Sequence, residues 1–329
     1  MNADIYAEWM RRQGHQVIRT ESSYWYDAGP RVFQAYPYHW TIEPTEAELR
    51  NLLLDHNAIA LRYSAPINSR HGMVSYHVVC ENSHYDLATL SRQAKQNVRR
   101  GLEFASFEQI SLARFAEEGW RLRQDTLERQ GRVGAESEEN WRRMCTSAEG
   151  LPGFEVWAAT HDGKLAATFL AFQCDDVYTL PLEQSATEFL ENRVNNAIFY
   201  YVTHQAINRH GVSRVFFCLH SLDAPCSVDQ FKFRMGYTAK PVRQHVMFHP
   251  WLEPFANPLA HTLVSRLLMR NHSNATLAKL EGMLRFSLQG KLPIDKQEWP
   301  DCLAEYKTIF LSPQPVFEQG TTQGVNTHA

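Results

Sequence analysis

The feature that most constrains the fold is a run of β-rich and helical segments between residues 154 and 248. Three β-rich stretches come first, "FEVWAATH", "KLAATFLAFQC" and "VYTLPL", and Asp162-Gly163 and Asp175-Asp176 separate them. The first of these pairs is a strong signal for a two-residue β-hairpin, so the stretches predict an antiparallel meander. A helical pattern, an apolar run, a short helix and a last strand follow. The predicted order is therefore three strands, helix, strand, helix and strand.

The N-terminal part predicts a further mixed α/β region. "YWYDAGPRVFQAYPYHW" is rich in aromatic residues, and the helical pattern "TEAELRNLLL" and the strand-like "AIALRYS" follow it. The aromatic stretch predicts a packed core, with an acceptor pocket as the alternative interpretation. Near the other end, leucine spacing predicts two helices within 259–288, and the polar segment 312–329 is typical of disorder.

Another predicted helix carries a basic face. "DLATLSRQAKQNVRRG" predicts a helix that begins at a cap residue, Asp86, and ends at Gly101. Its apolar stripe leaves Arg92, Lys95 and Arg99 on the opposite side. Such a face is usually solvated, and the alternative is contact with phosphates of a tRNA, a nucleotide sugar or a lipid head group.

Composition excludes several classes of protein. The chain has 329 residues, of which 44% are hydrophobic and 21% charged, which suits one large or two ordinary folded domains. Its formal charge of -3 provides no global attraction to nucleic acid or to an acidic membrane. "CLHSLDAPC" offers Cys218, His220 and Cys226, but their spacing matches no zinc pattern. Without a CxxC pair or a signal peptide, we expect a cytoplasmic protein with no membrane-spanning segment and no metal.

The segment "SVDQFKFRMGY" predicts a short helix with Lys232 near its end. Ser227 and Gln230 have the spacing of a capping box, and Gly236 suits the left-handed residue that ends a helix. From the residues alone, Lys232 has two interpretations. It is either a solvated lysine favoured by the helix dipole or a positive charge placed in a site.

Three stretches resemble the FemAB-like branch of the GNAT acyltransferase superfamily. They are "LSRQAKQNVRRGL", then "DGKLAATFLAF" with "VYTLPLEQSA", and "FKFRMGY". The resemblance implies a mixed α/β protein with two GNAT-like halves, a mixed central sheet flanked by helices, and additional C-terminal helices. It implies a divergent first half at 1–130, an acyltransferase half at 131–250 and a helical extension at 251–311.

The resemblance also implies N-acyl transfer. An activated acyl or aminoacyl group would pass from acyl-CoA or aminoacyl-tRNA to an amine and form an amide. The acceptor would be a small molecule, a peptide or a cell-envelope precursor, and a tRNA would be contacted at its acceptor end. In the Fem ligases the lysine of the "FK" pair steadies negative charge at the reacting carbonyl or donor phosphate, and Lys232 matches it. Glu183, Asp229 and His220 are the candidates for the base that amide formation needs.

The donor stays open at this level. Acyl-CoA enzymes of this fold usually bind pyrophosphate with a glycine-rich loop, whereas the matching "LEQSATEFLENRVNN" has no glycine. The overall charge, in turn, disfavours extensive contact with tRNA. The predicted substrate-binding residues are Phe231, Ser185, Asn196, Arg234, Arg92, Arg99 and Arg129. A protein that keeps the transferase scaffold and only binds a partner is the alternative to an enzyme.

Overall fold

The computed structural model describes residues 2–132, 135–222, 227–272 and 274–312. The predicted disorder of the C-terminal tail from residue 313, the capping role of the Ser227 side chain, and Cys226 lie outside what the structure describes.

Within the described residues, eleven strands form one sheet. The strands are β1 Val17–Arg19, β2 Tyr24–Gly29, β3 Val32–Tyr36, β4 Ala60–Ala65, β5 Met73–Cys80, β6 Ser106–Ile110, β7 Phe154–His161, β8 Lys164–Cys174, β9 Val177–Ser185, β10 Arg214–Leu219 and β11 Thr238–Phe248. Their order in the sheet is β1-β2-β3-β4-β11-β5-β10-β9-β8-β7-β6.

Ten α-helices accompany the sheet in the same described residues. They are α1 Ala3–Arg12, α2 Glu46–Asp55, α3 Arg92–Phe104, α4 Leu112–Arg129, α5 Glu138–Ser147, α6 Val194–Ile207, α7 Ser227–Arg234, α8 Pro258–Arg270, α9 Ala275–Gly290 and α10 Ala304–Leu311. Several of these helices have a polar N-cap residue whose side chain accepts a hydrogen bond from a backbone N–H of the first turn, as Thr45 does for α2 and Ser111 for α4.

The strands on the two sides of the central β11–β5 pair are arranged in the same way, except that one side has the additional edge strand β6. Going outward, one side runs β4, β3, β2 and β1, and the other runs β10, β9, β8 and β7. In each set the first pair is parallel, β4 with β3 and β10 with β9, and the remaining pairs are antiparallel. In each set a helix, α2 or α6, connects the two parallel strands. This arrangement is the predicted mixed sheet with two related halves.

The two halves exchange a strand at the centre. β5 precedes α3 in the chain but lies between β10 and β11, and β11 lies between β4 and β5. β6 and α3, which precede residue 130, pair with β7 and pack on α6 respectively. The predicted boundary at residue 130 therefore divides the chain in sequence, but strands before and after it belong to one sheet.

Alternation along the strands places a hydrophobic core on each face. In β8, Phe169 packs with residues of α3 and α6, whereas Leu170 and Phe172 pack with residues of α1, α4 and α5. The predicted meander is confirmed, and Asp162 and Gly163 both have positive φ in the β7–β8 turn, as a two-residue hairpin requires.

The predicted bounds of the basic helix were wrong at both ends. Asp86 caps a short 3-10 helix at Leu87–Thr89, and α3 begins after its own cap, Ser91. Gly101 lies inside α3, where it lets the backbone approach α6. A Cβ on Gly101 would lie 2.5 Å from the carbonyl oxygen of Arg193. The glycine is thus required for packing and does not end the helix.

Gly101→Ala should lower the free energy of unfolding by about 1–3 kcal/mol, because the added methyl group would overlap the backbone of α6. Urea titration of the purified variant measures the change. Gly29→Ala is the matched control, since a Cβ there meets nothing within 4 Å. Equal midpoints for the two variants would contradict the close contact between α3 and α6.

Candidate functional site

The candidate site lies where two parallel strands diverge. β9 and β10 pair from Val177 and Arg214 as far as Thr179 and Phe216. Beyond this point β9 continues beside β8, and β10 continues beside β5 with a β-bulge after Phe216. We call the region between these diverging ends the crevice, and α7 follows β10 in the chain.

Lys232 of α7 places its ammonium group in this crevice. The residue is buried, with 7% of its surface exposed. Its Nζ lies 2.6 Å from Asp229 Oδ1 and 3.1 Å from Cys218 Sγ, and it stands 4.7 Å from the centre of the Phe217 ring. An ammonium group has three N–H donors, and the described residues take two of them. The third is available to a carbonyl oxygen.

Asp229 connects this lysine to the centre of the sheet. It lies three residues before Lys232 on α7, and its Oδ2 accepts a hydrogen bond of 2.7 Å from the hydroxyl of Tyr76 on β5. Burial acts to lower the pKa of Lys232, but Cys218 and Asp229 outweigh it and the net pKa is raised. Lys232 is therefore a fixed positive charge at neutral pH and is unsuited to act as a base.

Glu183 lies on the diverging end of β9, opposite Phe169 of β8. It is partly buried on the face of the sheet that carries α6 and α7. Burial raises the pKa of Glu183 to about 7, against the opposing charges of Lys232 and Arg129. A carboxylate with a pKa near neutrality is suited to accept a proton from an amine.

His220 lies just beyond β10, and contacts of both its ring and its backbone hold it. Its ring stacks on Tyr76 with 4.5 Å between ring centres, its Nδ1 is 3.1 Å from Ser75 Oγ, and its backbone N–H donates to the Tyr76 carbonyl. Burial lowers the pKa of His220 to about 4, and Arg285 contributes in the same direction. The imidazole is therefore neutral at pH 7, and its role as the base stays a prediction.

Ser185 and Arg129 meet each other at the end of β9. Arg129 donates to the Ser185 carbonyl at 3.2 Å, to Ser185 Oγ at 3.1 Å and to Thr187 Oγ1 at 2.8 Å, and it pairs with Asp125 at 3.6 Å. These bonds attach the end of α4 to the end of β9. Arg129 thus has a structural function in this arrangement, and substrate binding by either residue stays a prediction.

The remaining predicted residues occupy two environments. Phe231 packs edge-on against Phe199 between α7 and α6, and Asn196 in the first turn of α6 contacts the sulfur of Met235 at 3.5 Å. Arg234, Arg92 and Arg99 are exposed, and no residue described in the structure pairs with them. These three arginines are available to an external anion.

The start of α6 differs from a glycine-rich phosphate loop. A 3-10 helix at Thr187–Asn192 precedes it, and Arg193 takes a left-handed conformation with φ 65° before the first turn. No described side chain caps this end of α6, so its first N–H groups are unoccupied by side chains. Helix-end N–H groups can bind an anion, although no glycine is present to bring the backbone close.

Two other features of the structure lie away from this crevice. A cavity of about 390 Å³ lies between α2, β11 and α9, with Tyr63 and His245 in its wall and none of the predicted site residues. At the opposite end of β9, ligand atoms of His39, Cys174 and Asp175 lie within 4.8 Å of one another. Burial raises the pKa of the Cys174 thiol to about 12, which makes it a poor metal ligand.

Solved structures resemble this chain over most of its length. FemX is 11% identical with a TM-score of 0.52, and the match covers 76% of this chain and 92% of FemX. The C-terminal domain of a candidate lysylphosphatidylglycerol synthetase from Agrobacterium fabrum is 12% identical with a TM-score of 0.52, over 81% of this chain and 94% of that domain. The chain has a FemAB-like GNAT fold. A conserved protein of unknown function from Bacteroides thetaiotaomicron matches at 13% identity and TM-score 0.50, over 75% and 91% of the two chains.

These similarities establish the fold and leave the function to be argued from the site. No family model matches the sequence, and no curated protein matches it. The fold class predicted from the three short stretches is confirmed. Among the described residues, no helix is both long enough and apolar enough to cross a membrane.

Three neighbours of Lys232 in this FemAB-like fold were not predicted as part of the site. Tyr76 lies on β5, 153 positions before Asp229, and no local pattern connects them. Cys218 and Phe217 were part of an apolar strand pattern, which predicts burial and does not indicate contact with a lysine. A signal for Phe217 would have required knowledge of the bulge that turns its ring toward α7.

The raised pKa of Glu183 predicts a pH-dependent penalty to stability. Between its ordinary pKa of 4.5 and about 7, the folded state binds more protons than the unfolded state, so stability falls as pH rises through this window. Relative to Glu183→Gln, the wild type should lose about 1–3 kcal/mol between pH 4.5 and pH 8. Urea titrations at both pH values test this. Glu188→Gln, at an exposed carboxylate, is the control, and the same pH dependence in both variants would refute the assignment.

Proposed function

We propose that this protein is an N-acyltransferase that passes an aminoacyl group from aminoacyl-tRNA to the amine of a polar acceptor. The observation that carries the proposal is the buried, charged ammonium of Lys232 at the divergence of β9 and β10, with one N–H donor available. Glu183, a carboxyl with a pKa near 7, lies on the neighbouring strand.

The site residues suit the steps of amide formation. The acceptor nitrogen attacks the ester carbonyl of the donor, and the carbonyl oxygen becomes an oxyanion that the free N–H of Lys232 stabilises. Glu183 takes the proton that the attacking amine must lose. The C–O bond to the ribose then breaks, and the ribose oxygen leaves as a hydroxyl after receiving the proton that Glu183 took from the amine. The products are the amide and the deacylated tRNA.

Charge and backbone favour this donor over acyl-CoA. The chain from Leu90 through α3 lies close to two junctions, because Gly101 packs against Arg193 before α6 and Leu90 lies beside Gly236 after α7. Arg92 and Arg99 on α3, and Arg193 and Arg234 at the two junctions, are exposed and unpaired within the described residues. Such a set suits several phosphates along an acceptor end better than a single pyrophosphate cradled by glycines.

Two similarities support one acceptor class. The name of the Agrobacterium fabrum protein connects that relative with a modified membrane lipid, and the family that the three sequence stretches resemble includes the peptidoglycan-bridge Fem ligases. We therefore propose a cell-envelope precursor with a free amine as the acceptor and the cytoplasm as the site of reaction.

A protein that binds a ligand without turnover is the second candidate. Asp229 already neutralises Lys232 at 2.6 Å, and such a pair also suits a purely structural role. Mass analysis for an aminoacylated amine, after incubation with aminoacyl-tRNA or acyl-CoA and a panel of amines, separates the candidates. Binding by calorimetry without product supports the second.

Removing the charge of Lys232 should lower turnover by about 10²–10³-fold, as loss of one oxyanion donor does. Lys232→Met alone leaves the Asp229 carboxylate buried and unpaired, so the Asp229→Asn/Lys232→Met double variant is the better test. Lys164→Met, at the exposed start of β8, is the matched control. Wild-type turnover in a folded double variant would remove Lys232 from the mechanism.

The pH profile tests the base. Because Glu183 must be ionised to accept a proton, kcat/KM should rise with pH and level off above about 7. In Glu183→Gln the rise near pH 7 should disappear and the plateau should fall by about 10²-fold. A profile that keeps its rise near pH 7 in this variant would assign the base to another group.

A further inference from the structure

An apolar surface on the C-terminal helices has no cover among the described residues. Large apolar side chains are exposed along the segment that precedes α8 and along α8 itself. They are Trp251, Phe255, Leu259, Leu263, Leu267 and Met269, and we call them the α8 surface. Trp251 is 83% exposed and Leu259 is 77% exposed. Leu259, Leu263 and Leu267 recur every four residues, so they share one face of the helix.

The α8 surface is turned away from the core of the protein. α8 packs against α9, and Val264, on the inner side of α8, contacts the buried cluster that contains Phe286. No residue of α8 is buried. Scattered exposed apolar residues are ordinary, but several large ones along one helix face and the segment just before it indicate an interaction surface.

The charged residues in the stretch of chain that carries most of the α8 surface all have the same sign. From Pro254 to Leu280 the sequence contains Arg266, Arg270 and Lys279, and it contains no aspartate or glutamate. Arg266 and Arg270 are exposed on the same side as the leucines, and no described residue pairs with them. The nearest carboxylates that flank this stretch are occupied, because Glu253 pairs with Lys291 and Glu281 pairs with His261.

We propose that the α8 surface docks the protein on an anionic lipid bilayer. Exposed leucines on one helix face, two aromatic residues in the segment just before the helix, and nearby arginines without carboxylates are features of helices that lie in a membrane interface. Trp251, Phe255, Leu259 and Leu263 enter the boundary of the acyl chains, and Arg266 and Arg270 reach lipid phosphates. α8 has 13 residues and spans about 20 Å, so it lies on the bilayer and does not cross it.

Charge and composition disfavour the two other occupants of the α8 surface, which are a second copy of the chain and residues 313–329. Contact between two copies through this surface would bring Arg266 and Arg270 of both chains together without a carboxylate on α8 to pair them. Residues 313–329 of the chain include only Val316, Phe317 and Val325 as large apolar side chains, and most of the others are glutamine, threonine, proline or glycine. They offer too little apolar area to cover six large side chains.

Docking does not depend on the proposed reaction. If both hold, the crevice at Lys232 works next to a membrane, where a lipid-linked acceptor would be concentrated.

Co-sedimentation of the full-length chain with vesicles tests the proposal. Wild type should bind vesicles of phosphatidylglycerol and phosphatidylcholine at least tenfold more strongly than vesicles of phosphatidylcholine alone. Leu259→Glu/Leu263→Glu should lower binding more than tenfold, since two leucines leave the apolar phase. Arg266→Glu/Arg270→Glu should lower binding to the anionic vesicles at least 25-fold, at about fivefold for each arginine removed.

The control is Arg50→Glu/Leu54→Glu, which makes the same types of change at exposed positions of α2 and should leave binding unchanged. Circular dichroism confirms that each variant is folded. Absence of wild-type binding to anionic vesicles would overturn the proposal. A dimer in sedimentation velocity that Leu259→Glu/Leu263→Glu abolishes, without vesicle binding, would assign the surface to a second copy. Turnover of a water-soluble acceptor should be equal in all variants, which separates this test from that of the reaction.

Discussion

The interaction on which the candidate site depends is the buried pair of Lys232 and Asp229. Two charges removed from water are stable together only if their hydrogen-bonding capacity is met, and Tyr76 and Cys218 meet part of it. The pair therefore joins α7 to β5 and β10 and holds the ammonium group in one place. A flexible lysine on the surface would lose this preorganisation, which is what gives an electrostatic donor its value in a reaction.

The sheet explains why a crevice exists for that charge to occupy. Parallel strands joined through a helix, β9 and β10, must separate where β9 follows β8 and β10 follows β5. The corresponding strands of the other half, β3 and β4, have the same parallel pairing but no helix like α7 after the second strand. The two related halves thus differ in that the second has a helix with a lysine after its second parallel strand.

Local sequence signals predicted the parts of the site that lie on one segment. They did not predict contacts between segments that are distant in the chain. The capped and glycine-terminated pattern around Lys232 predicted α7, and the Asp162-Gly163 pair predicted its hairpin, because each depends on backbone preferences of neighbouring residues. Tyr76 reaches Asp229 only because β5 is exchanged between the halves. Gly101 was misinterpreted as a helix end because its function is contact with a helix almost a hundred residues later in the chain, which local signals do not show.

The pKa values of Lys232 and Glu183 in the crevice are shifted apart in a way that suits catalysis. The ion pair keeps Lys232 charged well above neutral pH, whereas burial brings the pKa of Glu183 to about 7. Had Glu183 been the partner of Lys232, the attraction would have lowered the pKa of Glu183 and made it a weak base. Asp229 takes that place, so the charge of the lysine is balanced without using the carboxylate that we propose as the base. Separate partners for charge and for proton transfer are what the reaction requires.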